Sequence, residues 1–216
     1  MSPPRRPPLG EASRLAGRLW IAARHLDEPL AVSTLGRAFA VFTPGDVADR
    51  VVVPVMQRLG DSWRDDPGIV PSEHFASQIV RGQFQHRASQ NGRETGPLAV
   101  CFSPDGDQHD LGVHLAAATL RSAGWQARLI GAATPVSSAR HVVEHLRPDL
   151  LVVGAGMRES AEEFLASDLA ELVPTVAGGC GFRADDLADL EHATVHEGRF
   201  SALPSVVQRL RRPLRR

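Results

Sequence analysis

The apolar residues of this chain follow two different periods, and the change near residue 96 constrains the fold more than any other feature. Before it, apolar residues recur three to four positions apart, as at Leu15, Leu19 and Ala22, which is typical of amphipathic helices. After it, short apolar runs alternate with helical segments, which is typical of a parallel sheet covered by helices on both faces. We therefore predict an all-α half followed by an α/β half.

The first half predicts a four-helix bundle over residues 11–93. Thr43, Pro44 and Asp46 predict a helix start, because Thr is a good N-cap, Pro fits the first turn and an acid is favourable at the positive end of a helix. Pro54 should interrupt that helix, since its ring removes an amide donor and clashes one turn back.

The second half predicts a five-stranded parallel sheet domain over residues 97–211. The predicted strands are 98–102, 126–132, 149–156, 173–179 and 193–198. The turn-rich stretch "NGRETGP" at 91–97 marks the predicted domain boundary. The ends of the chain, 1–10 and 212–216, are predicted to be solvated tails.

Composition disfavours several classes of function. A formal net charge of -1 gives no general attraction to nucleic acid or to an anionic membrane. No apolar run reaches about 18 residues and no signal-peptide core follows the N-terminus, so we expect a soluble, cytoplasmic protein without a membrane partner. Cys101 and Cys180 match no metal or redox spacing and fit a reducing compartment.

The stretch "GDQHDLG", residues 106–112, comes just after the first predicted strand. Ligands of parallel sheets lie beyond the carboxyl ends of the strands, so this loop is the candidate site. Phosphate binding is disfavoured, because the loop lacks both glycine-rich nucleotide motifs and carries acids that repel an anion. Two interpretations stay open: a metal or cofactor site, and an Asp-rich turn that caps the next helix.

In the first interpretation His109 is the ligand, and Asp107 accepts a hydrogen bond from the other ring nitrogen, which fixes the tautomer. Asp110 is predicted to cap the following helix, and Gly112 lets the helix start approach a bulky ligand. In the second interpretation the turn is structural and His109 is only exposed.

The same seven residues resemble the D/E-x-H-x-x-G motif of cobalamin-binding domains. The resemblance implies a flavodoxin-like five-stranded fold, with His109 as the lower axial cobalt ligand and Asp107 as its hydrogen-bond partner. It also implies that Gly178 and Gly179 line a slot for the nucleotide tail of the cofactor.

One element departs from that family pattern. After the third strand the family carries a serine-containing element, whereas this chain has Gly154-Ala155-Gly156. The serine contact to the nucleotide tail is therefore missing. The resemblance then implies a wider or differently packed slot, with Gly154 among the residues that contact the cofactor.

The helical half resembles the bundle of CarH-type light-dependent regulators over residues 51–84. Trp63 and the Glu73-His74 pair fall at the W-x9-EH spacing of that family. There these residues cover the upper face of adenosylcobalamin, whose cobalt–carbon bond is broken by light. Taken singly, each also fits an ordinary role: a bundle-end core residue, an acid in a first helical turn, and a hydrogen-bonded histidine.

Arg64 is a second departure, because the best-known members carry at that position a histidine that captures cobalt after photolysis. Arginine cannot ligate cobalt. The alternatives are water or His74 as the upper ligand after photolysis, or an Arg64 that faces an anionic group such as a propionate. Some relatives bind a linear bilin beside cobalamin, so biliverdin is an open second cofactor.

The predicted function is a stand-alone cobalamin-dependent light sensor that is not an enzyme. CarH-type regulators begin with a DNA-binding domain, whereas only about 10 residues precede the first predicted helix here, so we expect no direct DNA binding. Signalling then requires a regulatory protein partner or a homo-oligomer. The alternatives are a corrinoid carrier for methyl transfer and a module that stores or delivers cobalamin.

Overall fold

A computed structural model describes residues 9–90 and 95–210 of the chain. The predicted tails, apart from residues 9 and 10, and most of the predicted boundary stretch at 91–97 lie outside these residues. The fold divides into two compact units, Met1–Arg87 and Ala88–Arg216. No helix among the described residues is both long and apolar enough to cross a membrane.

The first unit is helical, which confirms the predicted class of this half. Its α-helices are α1 (Leu9–His25), α2 (Glu28–Val41), α3 (Pro44–Val47), α4 (Val53–Asp61) and α5 (Val70–Gln90). The segments α3 and α4 are joined by a π-helical turn, Ala48–Val52, so four helical stretches form the unit. The rings of Phe39 in α2 and Phe84 in α5 meet edge to face, with centroids 4.9 Å apart.

The start of α3 is the predicted one. Thr43 has an extended backbone, and its side-chain oxygen accepts a hydrogen bond from the amide of Asp46. The interruption at Pro54 takes the form of the π turn, in which the amide of Val53 donates to the carbonyl of Ala48. This agrees with the physics of proline, whose ring cannot donate to the preceding turn and clashes with its carbonyl.

The second unit is a five-stranded sheet, and all strand pairs are parallel. Its strands are β1 (Leu98–Pro104), β2 (Gln126–Thr134), β3 (Leu150–Gly154), β4 (Thr175–Gly178) and β5 (Ala193–Val195). The strand order is β2-β1-β3-β4-β5, the flavodoxin-like order. From β1 the chain adds β2 on one side and then β3, β4 and β5 on the other, so the loop after β1 lies at the switch point between β1 and β3.

Helices cover both faces of the sheet, as the near-continuous apolar strands predict. The helices of this unit are α6 (Leu111–Ser122), α7 (Val136–Leu146), α8 (Arg158–Leu165), α9 (Leu169–Leu172) and α10 (Leu203–Leu210). Alternate residues of β1 separate the two cores: Val100 and Phe102 pack with α7, α8 and α9. Ala99 and Cys101 pack with α6 and α10 on the opposite face.

Candidate functional site

The loop between β1 and α6 carries the predicted ligand, and its backbone is fixed by a tight turn. The amide of Asp107 donates to the carbonyl of Pro104 at 3.2 Å. Gly106 between them has a φ of +72°, a conformation that glycine adopts without the cost of a side chain. The turn brings the side chain of Asp107 back under the sheet edge, where none of the residue is exposed.

Each of the two carboxylate oxygens of Asp107 has two hydrogen-bond donors. Oδ1 accepts from the backbone amide of His109 at 2.8 Å and lies 2.9 Å from Nδ1 of the same residue. Oδ2 accepts from the amides of Gly156 at 2.6 Å and Met157 at 3.1 Å, which follow β3. Asp107 thus joins the loop after β1 to the loop after β3.

These contacts favour the ionised form of Asp107. Burial is the largest single effect and by itself raises the pKa of the carboxyl group. The hydrogen bonds from the amides of His109, Met157 and Gly156 and from the imidazole oppose it, and together they hold the pKa below its ordinary value. The ionised carboxylate of Asp107 therefore acts only as a hydrogen-bond acceptor, toward the three amides and toward the imidazole of His109.

The carboxylate also determines the tautomer of His109. Because Oδ1 can only accept, the ring nitrogen that faces it, Nδ1, carries the proton. The lone pair then belongs to Nε2, on the far side of a side chain that is 67% exposed. This is the arrangement in which a second residue orients a histidine for metal binding.

Gly156 provides the surface on which the imidazole lies. A Cβ at this position would fall 2.8 Å from Cγ and 2.9 Å from Nδ1 of His109. Any side chain here would therefore press on the ring. The glycine at this position therefore leaves the room that the imidazole occupies.

The structure corrects the predicted capping role of Asp110. The residue stands at the N-cap position of α6, yet its side chain makes no capping hydrogen bond there. Its Oδ2 lies 3.2 Å from Nε2 of the buried His114, one turn further along the helix. Gly112, in the first turn of α6, has open space where a Cβ would stand, and its predicted nearness to a ligand stays a prediction.

The predicted slot glycines sit at the carboxyl ends of β3 and β4. Gly154 and Gly178 are partners in the parallel register. Gly179 has a φ of +101°, and a Cβ there would meet the backbone of Ala155, whose carbonyl carbon would be only 3.0 Å away. A glycine is therefore required at this close approach of two chain segments.

Arg158 holds the loop that follows β4, a role that no spacing in the sequence indicated. Its Nη1 donates to the carbonyl of Gly181 at 3.2 Å and to Oδ2 of Asp186 at 2.5 Å. The same Oδ2 accepts from the amide of Arg183 at 2.8 Å. The hydrogen bond and the opposite charge of Arg158 lower the pKa of Asp186, so this pair is charged at neutral pH.

The predicted upper-face residues belong to the helical unit. Trp63 lies in a short 3₁₀ turn, Ser62–Arg64, and is 44% exposed, which is unusual for a large aromatic residue. Glu73 accepts a hydrogen bond from Ser77 at 2.6 Å, and its Oε2 lies 3.7 Å from Nε2 of His74. The side chain of Arg64 lies outside the part of the chain that the structure describes.

Asp66, between these residues, is a further position that sequence reasoning missed. Its Oδ2 accepts from Arg24 of α1 at 3.1 Å, and its Oδ1 accepts from the amide of Gly68 at 3.0 Å. It also caps a 3₁₀ turn, Pro67–Ile69, just before α5. Asp66 therefore fixes the segment that separates Trp63 from Glu73.

The residues of the sheet unit fit a cobalamin. A cobalamin would bring the corrin ligands of its own cobalt, and the protein would have to add one imidazole nitrogen, a donor that suits transition metals. His109 would supply it, with Asp107 and Gly156 holding the ring, and the cofactor would contribute an upper ligand bonded to cobalt.

Comparison with known proteins agrees with this chemistry. Residues 15–87 match the model of a protein family described as a B12 binding domain. The chain is 30% identical over 188 residues to the HTH-type transcriptional repressor CarA of Myxococcus xanthus, covering 84% of this chain and 62% of the repressor. It is 28% identical over 183 residues to the HTH-type transcriptional repressor CarH of the same organism, covering 81% of this chain and 60% of that protein.

The fold also occurs in a solved structure. The monomethylamine corrinoid protein of Methanosarcina barkeri superposes with a TM-score of 0.65 at 18% identity, covering 91% of this chain and 98% of that one. At this identity the likeness shows the fold alone. Residues 15–87 of this chain thus match the B12 binding domain family, and the chain is similar over most of its own length to the CarA and CarH repressors.

Proposed function

We propose that this protein is a cobalamin-dependent photoreceptor that binds adenosylcobalamin through His109. The observation that carries the proposal is the state of that histidine: a largely exposed imidazole whose Nδ1 proton points at a buried carboxylate 2.9 Å away. That carboxylate, of Asp107, is itself held by three backbone amides. A histidine that was merely exposed would not need such a buried and fixed partner. A carboxylate that accepts the second ring N–H of a histidine is typical of a metal ligand.

The light-sensing part rests on the helical unit. Trp63 and the Glu73-His74 pair stand at the spacing of light-dependent regulators, and the exposed indole is available to cover an adenosyl group. Adenosylcobalamin supplies a cobalt–carbon bond that green light breaks. We expect Glu73 and His74, which lie within 3.7 Å of each other on α5, to change their mutual contact when the adenosyl group leaves. His74 is also the candidate upper ligand in the illuminated state.

The output of the sensor is proposed to be a change in assembly, either between copies of this chain or with a regulatory protein. The chain spans about 60% of the length of the CarA and CarH repressors that it matches. Neither transcriptional repression, for which these relatives are named, nor an enzyme activity is proposed for this chain.

A corrinoid carrier for methyl transfer is the main alternative. The loop "GDQHDLG" resembles the version found in corrinoid methyltransferase subunits. A carrier has to present the upper face of its cofactor to partner enzymes, and a large aromatic residue that covers this face would oppose such access. Trp63 therefore favours the sensor.

The deciding experiment is an absorption spectrum of the purified protein with adenosylcobalamin, in the dark and after green light, paired with size-exclusion chromatography. A light-driven spectral change with a shift in assembly supports the photoreceptor. Binding that is indifferent to light, or tight binding of methylcobalamin in place of adenosylcobalamin, supports a carrier or storage protein. Biliverdin added to the same samples tests for a second chromophore through a new far-red band.

The ligand assignment has its own test with a matched control. In the dark, His109→Ala should lose the spectrum of histidine-ligated cobalt, because it removes the proposed lower ligand. His141→Ala replaces an exposed histidine on α7 of the same unit and should leave the spectrum unchanged. An unchanged cobalt spectrum in His109→Ala would refute the assignment.

A further inference from the structure

Trp63 presents much of its ring to solvent, so the position of the ring depends on the short backbone segment that carries it. The residue stands in the middle of a single 3₁₀ turn, Ser62–Arg64, and is 44% exposed. A 3₁₀ turn has poorer hydrogen-bond geometry than an α-helix and is stable only in short pieces, so it does not fix its own place. The place of Trp63 is therefore set by the residues on either side of the turn.

The segment before the turn is tied to α1 through Arg58. The hydroxyl of Ser62 donates to the carbonyl of Arg58 at 2.8 Å, which joins the start of the turn to the last part of α4. The guanidinium of Arg58 lies over the ring of Trp20 in α1, with Cζ 3.8 Å from the ring centroid. This is the geometry of a cation–π contact, and it fixes the end of α4 against α1.

The segment after the turn is tied to the same helix through Asp66. The amides of Asp65 and Asp66 donate to the carbonyl of Ser62 at 3.2 and 2.9 Å, so the turn leads directly into this residue. Oδ2 of Asp66 accepts from Nη1 of Arg24 at 3.1 Å. Oδ1 accepts from the amide of Gly68 at 3.0 Å, which holds the carboxylate in place for the arginine.

The two anchors on α1 belong to one face of that helix. Trp20 and Arg24 are four residues apart, so their side chains are neighbours one turn from each other. Their partners Arg58 and Asp66 stand before and after Trp63 in the chain, which places the indole between two points of attachment. Arg24 and Arg58 are exposed, and exposed contacts of these kinds add little to the stability of a fold. Their larger effect is on where the segment lies.

We propose that Trp20 and Arg24, acting through Arg58 and Asp66, are positioning residues for Trp63, and that this positioning makes the protein prefer adenosylcobalamin to methylcobalamin. The inference rests on the proposed function, in which the indole covers the adenosyl group. A ring that is already in place binds more tightly than a mobile one, because less freedom is lost on binding. A methyl group offers the indole little surface, so the affinity for methylcobalamin does not depend on where the ring stands.

The test removes each contact and leaves the backbone of the segment intact. Asp66→Asn keeps a side-chain oxygen for the amide of Gly68 but loses the charge that attracts Arg24. Arg24→Gln removes the other partner of the ion pair, and Arg24→Lys keeps a cation there. Arg58→Gln removes the cation–π contact and keeps the backbone carbonyl that the turn uses.

Asp168→Asn is the matched control, because it breaks an ion pair of the same exposure in the sheet unit. The side chains of Asp168 and Arg140 are 47% and 36% exposed, against 49% and 38% for Asp66 and Arg24. Each variant is also made in a Trp63→Ala background. The affinities of the full chain for adenosylcobalamin and methylcobalamin are measured by titration in the dark.

We expect Asp66→Asn, Arg24→Gln and Arg58→Gln each to weaken adenosylcobalamin about two- to fivefold, the effect of one exposed ion pair or cation–π contact. Methylcobalamin should bind these variants as it binds the unmodified chain. Arg24→Lys and Asp168→Asn should leave both affinities unchanged. In the Trp63→Ala background the three weakening substitutions should have no further effect, because the residue through which they act is gone.

Three results would overturn the proposal while the proposed function stands. Equal weakening of both cofactors would make the contacts structural. An effect that persists in the Trp63→Ala background would mean that the contacts do not act through the indole. Unchanged affinities in all three variants, with adenosylcobalamin weakened by Trp63→Ala alone, would mean that the indole needs no anchor.

Two other results would refute the proposed function and the inference with it. One is a Trp63→Ala variant that keeps the full preference for adenosylcobalamin, since the indole would then not cover the adenosyl group. The other is an unmodified chain that binds neither cofactor.

Discussion

Gly179 gives the sharpest test of how the loops around the candidate site are built. It has to be glycine for two reasons, a positive φ and a close backbone neighbour, and the two can be measured separately. Its φ of +101° strains any residue with a side chain, and a Cβ would meet the backbone of Ala155. Gly131 in β2 has a similar φ of +114°, yet nothing lies within 4 Å of its Cβ position. Gly131→Ala therefore measures strain alone, and Gly179→Ala measures strain together with overlap.

The magnitudes follow from these contacts. A side chain held at such a φ costs about 1–3 kcal/mol, which is the expected loss for Gly131→Ala. At Gly179 the neighbour is backbone and cannot rotate away, which adds roughly 1–3 kcal/mol. Moving Ala155 would also disturb the hydrogen bond of 2.9 Å that its carbonyl accepts from the amide of Gly181, worth about 1 kcal/mol.

Urea denaturation of the cofactor-free protein, with hydrogen exchange followed in β3 and β4, measures both losses in the sheet unit. Gly82→Ala serves as the control for alanine itself. It lies exposed in α5 with nothing near its Cβ position and should gain about 1 kcal/mol. Equal losses for Gly131→Ala and Gly179→Ala would refute the reasoning, because the contact with Ala155 would then contribute nothing.

Four further outcomes are expected. Asp107→Asn should destabilise the sheet unit by at least about 2 kcal/mol in urea, because an amide cannot accept from four donors; unchanged stability would contradict the hydrogen-bond assignment. Burial raises the pKa of Cys101 to about 12, so only about one thiol in ten thousand is ionised at pH 8, and a thiol reagent should label the exposed Cys180 in the native protein and both cysteines in urea. Rapid labelling of two thiols under native conditions would show that the core is open. Thr43→Ala should cost about 1 kcal/mol of the free energy of unfolding through loss of the N-cap, and Thr43→Ser should restore it. Phe84→Ala should cost about 3–5 kcal/mol by leaving a cavity against Phe39, and a loss below about 1 kcal/mol would mean that the ring is not buried in the bundle.

The local rules of the sequence were sufficient for much of the fold. Thr43 starts α3 with the expected side-chain hydrogen bond, since a cap involves residues only three positions apart. The five apolar runs form the five strands, because a strand buried on both faces has to be apolar throughout its length. The loop after β1 was identified as the candidate site because ligands of parallel sheets bind beyond the carboxyl ends of the strands.

Local rules failed where a side chain had two possible partners. Asp110 stands at the N-cap of α6, as its position predicts, but its carboxylate pairs with His114. Both partners lie within one turn, and the sequence does not say which of them the rotamer selects. Pro54 was predicted to interrupt its helix. The π turn that precedes it was not predicted, because the extra residue of a π turn depends on the packing around the helix.

The sequence by itself determined the two periods, the strands, the loop with its histidine, and the spacing that resembles cobalamin proteins. Only the tertiary structure decided what surrounds that histidine. Asp107 is held by amides 49 and 50 residues further along the chain, and Gly156 proves to be the surface beneath the imidazole. That the buried hydroxyl of Ser103 has no hydrogen-bond partner among the described residues is visible only once β1, β3 and β4 stand side by side. These features are contacts between segments remote in sequence, and no local propensity encodes them, because their energy arises only when the sheet has brought the loops together.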